Sequence, residues 1–120
     1  MNLNKYQDSA NAFATNDLPD DYAFTNGASE MGETMGKFAK FQRKFSKTLA
    51  QAIVLCRHPI TVEEYTLRSD VKKELGDELW QLQRKATVCG FTLEELATSN
   101  LDKLSSRLNR NVICGEGDNR

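Results

Sequence analysis

Apolar residues recur along this chain at helical spacing and never settle into repeated alternating runs, so the pattern predicts helices and no sheet. Leu3, Tyr6, Ala10 and Phe13 share one face ahead of a breaker stretch at Leu18-Pro19-Asp20-Asp21, which predicts a first helix over residues 2–15. Met31, Met35, Phe38, Phe45, Leu49 and Ile53 form a stripe running from about Ala28 to just before His58-Pro59. That length predicts a second helix serving as the spine of a bundle. Ser69 is placed to cap a third helix with Val71, Leu75, Leu79, Leu82 and Ala86 on its apolar face and Gly90 as its stop. Thr92 and Glu95 make a capping box for a fourth, whose inward face is Leu93, Leu96, Leu101, Leu104 and Leu108. Between Thr61 and Arg68 the pattern is too short to decide, although Glu63 and Glu64 suit the first turn of a helical extension.

Four amphipathic helices on short links predict an all-α, four-helix-bundle-like fold. The 120 residues suit one domain, assigned to 1–110, and residues 111–120, with Gly115 and Gly117, read as a flexible C-terminal tail.

Composition narrows the function. A net charge of −1 supplies no basic field, so no stable nucleic-acid binding is expected. Cys56, Cys89 and Cys114 are odd in number and lack C-x-x-C spacing, against a disulfide framework or a zinc site. The N-terminus has no apolar export segment, and the longest purely apolar run, Ala52 to Cys56, falls far short of a membrane span. A cytoplasmic protein with no membrane contact is expected.

The most informative feature is an internal near-repeat. Glu30-Met31-Gly32-Glu33-Thr34-Met35 with Phe38 matches Glu74-Leu75-Gly76-Asp77-Glu78-Leu79 with Leu82. At about 100° per residue the two acids of each copy lie about 60° apart, beside the apolar stripe. Acids flanking a buried face carry a desolvation cost unless a cation accompanies them, and four together repel. A hard divalent cation relieves both, and all-oxygen ligands suit Mg²⁺, with Mn²⁺ as a substitute. Gly32 and Gly76 each cost a helix roughly 1 kcal/mol, which points to close helix approach or room for a ligand. A di-iron bundle would need Glu-x-x-His pairs, and the one histidine, His58, sits beside Pro59 at a helix end.

Ala28-Ser29-Glu30-Met31-Gly32-Glu33 with Gly36-Lys37, then Lys72-Lys73-Glu74-Leu75-Gly76-Asp77-Glu78-Leu79-Trp80, then Asn100-Leu101-Asp102-Lys103-Leu104 with Arg107, resemble the MazG-like nucleotide pyrophosphohydrolases. Gly117-Asp118-Asn119-Arg120 is similar to the ends of many small members. The resemblance implies an all-α MazG-type fold, assembly as a homodimer or homotetramer, and Mg²⁺-dependent cleavage of a (d)NTP to its monophosphate and pyrophosphate. Glu30, Glu33, Glu74 and Asp77 would be the metal ligands and catalytic carboxylates. The sequence departs from the family in having Ser29 where many members carry an acid, and in the 40 residues that separate Glu33 from Glu74.

Cleavage between the α and β phosphates needs an activated water and neutralised phosphoryl oxygens. Glu33 or Glu30 is the choice for the group that accepts the water's proton. Asn100, Lys103 and Arg107, at i, i+3 and i+7, form a polar edge able to face a triphosphate or simply solvent, and Asn100 falls within the apolar arc, where a buried amide needs a partner. Lys37 and Lys40 either bind phosphate oxygens or pair with Glu33 across a turn. Trp80, close in phase to Asp77, either stacks on a base or fills a subunit interface. The rival readings are a non-catalytic helical interaction protein that keeps the bundle for dimerisation, and a regulator that holds a nucleotide without cleaving it.

Overall fold

The computed structural model describes residues 1–14 and 19–111; the expected tail beyond 111 and the last residue of the expected first helix lie outside them. Five helices follow in order, with no strand among the described residues: α1 (Leu3–Asn11), α2 (Tyr22–Phe45), α3 (Leu49–Arg57), α4 (Val62–Val88) and α5 (Leu93–Asn109). The all-α class stands. The boundaries differ in that α1 stops at Asn11 and α2 already starts at Tyr22, ahead of Ala28, and two larger corrections concern whole helices.

The first is the expected spine, which is two helices. Ser46 takes a left-handed conformation at φ 52°, and the Lys47 amide turns back to the Gln42 carbonyl at 3.1 Å. Thr48 then opens α3 with a capping box: its hydroxyl accepts from the Gln51 amide at 3.1 Å, and the Gln51 side chain accepts from the Thr48 amide at 3.0 Å. Leu49 and Ile53 keep the helical phase of the preceding stripe, which hides the break from a periodicity reading. The second correction concerns Ser69, which lies inside α4. A further capping box, Thr61 with Glu64, starts that helix at Val62 and decides the ambiguous segment in favour of helix. The Thr92–Glu95 box and the Gly90 stop, at φ 80°, are where the sequence placed them.

The long helices α2 and α4 run antiparallel: Gly27 meets Gln81 and Lys85, Thr34 bonds Glu78, and Lys37 reaches Glu74. At the far end α3 closes over the pair, burying Phe38, Phe41, Ala52, Leu67 and Val71 in one cluster. At the near end α1 crosses α4 and is pinned by a buried amide. Gln7 donates to the Thr87 hydroxyl and the Phe91 carbonyl, both at 2.9 Å, and accepts from the Leu93 amide at 2.7 Å. The contacts to Phe91 and Leu93 satisfy backbone groups at the α4–α5 turn that no helix ladder reaches.

Much of the expected inward face is not covered within one chain. Met31 (62% exposed), Met35, Leu75, Leu79 and Leu82 face outward on α2 and α4, as do Leu101 (65%), Leu104 and Leu108 on α5, which packs against α1. The radius of gyration is 17.4 Å. A closed globule of this length would have about 13.5 Å.

Candidate active site

The antiparallel register of α2 and α4 brings acids from both sequence repeats to one place. Glu30 and Glu33 stand one turn apart on α2, Glu74 approaches from α4, and one carboxylate oxygen from each lies within 4.8 Å of the other two. The Gly27 backbone allows close helix approach beside this point, since a Cβ there would stand 3.2 Å from the Lys85 ammonium and 3.7 Å from the Gln81 Cβ. Gly32 and Gly76, expected to serve close helix approach or to leave room for a ligand, face open space within the chain.

Electrostatics mark the cluster. The Glu33 carboxyl is pushed above the ordinary carboxylate range, chiefly by the charge of Glu30, then by burial and by Glu74. Neighbours hold the other two carboxylates in place. The Asn26 amide donates to Glu30 at 2.9 Å, and the Lys37 ammonium stands 3.4 Å from Glu74. One turn beyond Glu74, Glu78 accepts a hydrogen bond from the Thr34 hydroxyl, a further strut between the helices. Three converging hard oxygen donors whose charges repel fit a hard divalent cation and not a thiophilic one.

Asp77 stands apart from the trio. It is exposed on α4, and its charge acts with burial, the larger cause, to raise the Tyr6 hydroxyl of α1.

Residues 28–112 match the family model described as the MazG nucleotide pyrophosphohydrolase domain. The chain belongs to this family. The acidic trio lies within the matched region. The Gene 37 protein of Mycobacterium phage L5 is 43% identical over 53 residues, covering 44% of this chain and 46% of the phage protein. The match thus spans under half the length of that relative. No solved structure gives a significant match.

The remaining sequence-derived residues are distributed around the MazG domain. Lys37 touches the trio, and Lys40 follows it along α2 with its side chain exposed. Trp80 is half-buried under α1, its indole N–H donating to the Ala10 carbonyl at 3.4 Å. That contact adds a side-chain donor to a carbonyl in the last turn of α1 that also accepts from the Phe13 amide at 3.1 Å. Asn100 lies on α5 among leucines that are themselves uncovered within the chain, so its amide is exposed where burial was expected; Lys103 is exposed as well, and Arg107 is buried. Since α5 packs on α1, this polar edge is not built onto the α2–α4 stretch that carries the carboxylates.

Sequence reasoning passed over Asn26, Thr34 and Glu78. Asn26 had a readable signal, standing four residues before Glu30 and so on its face. Thr34 and Glu78 become partners only through the helix register. No helix among the described residues is long and apolar enough to cross a membrane.

Proposed function

We propose that this MazG domain is a cytoplasmic, Mg²⁺-dependent pyrophosphohydrolase that cleaves a (d)NTP to its monophosphate and pyrophosphate in control of the nucleotide pool. The convergence of Glu30, Glu33 and Glu74 from two helices carries the reading. These three would hold the cation, with Asp77 completing the set from the next turn of α4. Bound there, Mg²⁺ (or Mn²⁺) would supply Lewis-acid neutralisation of phosphoryl charge and lower the pKa of an attacking water. Water forms the new bond to the α phosphorus, the bridging α–β P–O bond breaks, and pyrophosphate leaves. Glu33 accepts the water's proton; the repulsion by Glu30 that raises its pKa also makes its carboxylate a better base. Lys37 orients Glu74 and, with Lys40, offers ammonium groups to the phosphate oxygens.

The fold supports an assembly as part of the same reading. Met31, Leu75, Leu79 and Leu82 line an open groove between α2 and α4, and the α5 leucines extend the uncovered apolar surface. Patches of this kind mark interaction sites. A second copy of the chain, laid against the groove, would complete a four-helix bundle from two α2–α4 pairs, as a homodimer or half of a homotetramer.

The test is a panel of (d)NTPs with Mg²⁺, scored for monophosphate and pyrophosphate together. No turnover of any nucleotide would overturn the hydrolase reading. It would leave the non-catalytic helical module, which titration with Mn²⁺ separates from a nucleotide-holding regulator.

A further inference from the structure

The carboxylate trio is continuous with a second feature that the family match does not interpret. Beyond Lys37, the α2–α4 pair opens into a trough of about 270 Å³. Its α2 wall carries Lys37, Lys40 and Lys44 at i, i+3 and i+7, and its α4 wall carries Glu63, Thr66 and Asp70 at the same spacing. Between them the floor is apolar and aromatic, with Phe41 and Phe45 as its largest groups. Opposite charges therefore face each other on directly paired helices, yet among the described residues no ion pair closes the gap. Lys37 turns to Glu74, and the Lys44 ammonium lies 5.3 Å above the Phe45 ring.

Two walls of opposite charge over an aromatic floor select their occupant. A polyphosphate or a nucleic-acid backbone would gain from the lysines but meet Glu63 and Asp70 on the other side. A purely apolar ligand would leave both walls without partners. A flat ring with hydrogen-bond donors on one edge and an anionic tail matches all three surfaces. The volume sits near the lower limit of ordinary ligand pockets, enough for a nucleoside but not for its phosphates as well. The phosphates would leave the trough along Lys40 and Lys37 toward the trio, and the seven residues from Lys37 to Lys44 span about 10 Å of helix.

From this continuity we infer that the trough seats the nucleoside of the substrate, and that Asp70 and Glu63 select bases with an exocyclic amino group. The inference rests on the proposed nucleotide substrate and deepens it. Ionised carboxylates only accept hydrogen bonds. Cytosine, adenine and guanine offer them amino donors, whereas uracil, thymine and hypoxanthine place a carbonyl or no group at the corresponding position. Two acceptors brought face to face leave both unpaired, and a site built on hydrogen bonds rejects an analogue that cannot make them.

The test uses monophosphates, so it needs no turnover. Calorimetric titration of the protein in excess Mg²⁺ with dCMP against dUMP, and with GMP against IMP, should show at least about tenfold tighter binding of the amino-bearing member of each pair. Asp70→Asn, which presents a donor as well as an acceptor, should bring the two members to within about twofold, and Glu63→Gln should shrink the gap independently. Equal affinities in the unmodified protein, a ratio that neither substitution moves, or no binding of any monophosphate would each overturn the inference. The hydrolase reading fails separately: base discrimination without triphosphate turnover would remove the enzyme and keep the trough, and turnover without discrimination would do the reverse.

Discussion

Along one pair of helices, α2 and α4, the two ends are finished in opposite ways. Toward the C-terminus of α2, a third helix covers the pair, and Phe38, Phe41, Leu67 and Val71 are sealed in a core. Toward its N-terminus, Glu30, Glu33 and Glu74 crowd together beside methionines and leucines that nothing within the chain covers. The helix pair is the same; the presence of α3 over one end makes the difference. The sealed end supplies the stability against which the open end can hold three mutually repelling carboxylates in register. Such strain is sustained only where the surroundings are already fixed.

That division predicts that stability and activity separate by position. Phe38→Ala removes a ring from the sealed cluster and lines neither the trough nor the trio. It should cost about 3–5 kcal/mol in denaturant titration. Glu74→Gln, at the open end, should leave the melting temperature unchanged or higher, because it removes one of the repelling charges. Activity should fall by more than about a hundredfold, beyond what the loss of a merely supporting group produces. If Glu74→Gln unfolded the protein, or retained turnover, the comparison would break at its functional half.

The open end should also titrate with Mg²⁺. Glu33 has its folded pKa raised by Glu30, burial and Glu74. In the absence of metal its contribution to stability is fully present below the ordinary glutamate range and is lost as pH rises through the raised value. Metal requires the deprotonated carboxylate, so Mg²⁺ affinity should strengthen as pH rises above the ordinary glutamate range, with protons released on binding. Glu33→Gln should flatten that rise. A Mg²⁺ affinity independent of pH would separate Glu33 from the metal.

The sealed end was the harder one to read from sequence. Phe38 and Val71 are on the expected stripes; Phe41 is not, because that stripe runs on through Leu49 and Ile53 as if α2 continued, and Leu67 is not, because it falls in the segment from Thr61 to Arg68 whose pattern is too short to decide. Only Thr48-x-x-Gln51 and Thr61-x-x-Glu64 betray the two helix starts, and a capping box inside a continuous apolar phase is easily passed over. The open end was legible for the opposite reason. Its acids are repeated at fixed spacing, and spacing within a helix survives any error in the helix ends. What spacing does not give is the register between helices. Thus Glu74 meets Glu30 and Glu33 while Asp77 stays outside the trio, and Asn100 is exposed. The outward leucines follow from the same gap: periodicity finds an apolar face but not the molecule that covers it.

The smallest predicted effect tests that last point through its sign. Gly32 and Gly76 occupy matching positions in the two acidic repeats, inside helices where glycine is unfavourable, and a Cβ at either would meet nothing within 4 Å in the single chain. For an isolated chain, Gly76→Ala should therefore stabilise by up to about 1 kcal/mol through the loss of unfolded-state freedom. If a second copy packs its backbone against this face, the added methyl instead meets a neighbour, stability falls, and the melting temperature becomes dependent on protein concentration. Melting Gly32→Ala and Gly76→Ala over a range of concentrations distinguishes the two. A stabilisation at every concentration would place the glycines outside any subunit interface and leave ligand access as the reason for their presence. A loss that deepens on dilution would make the open end, unlike the sealed one, a surface completed by a partner.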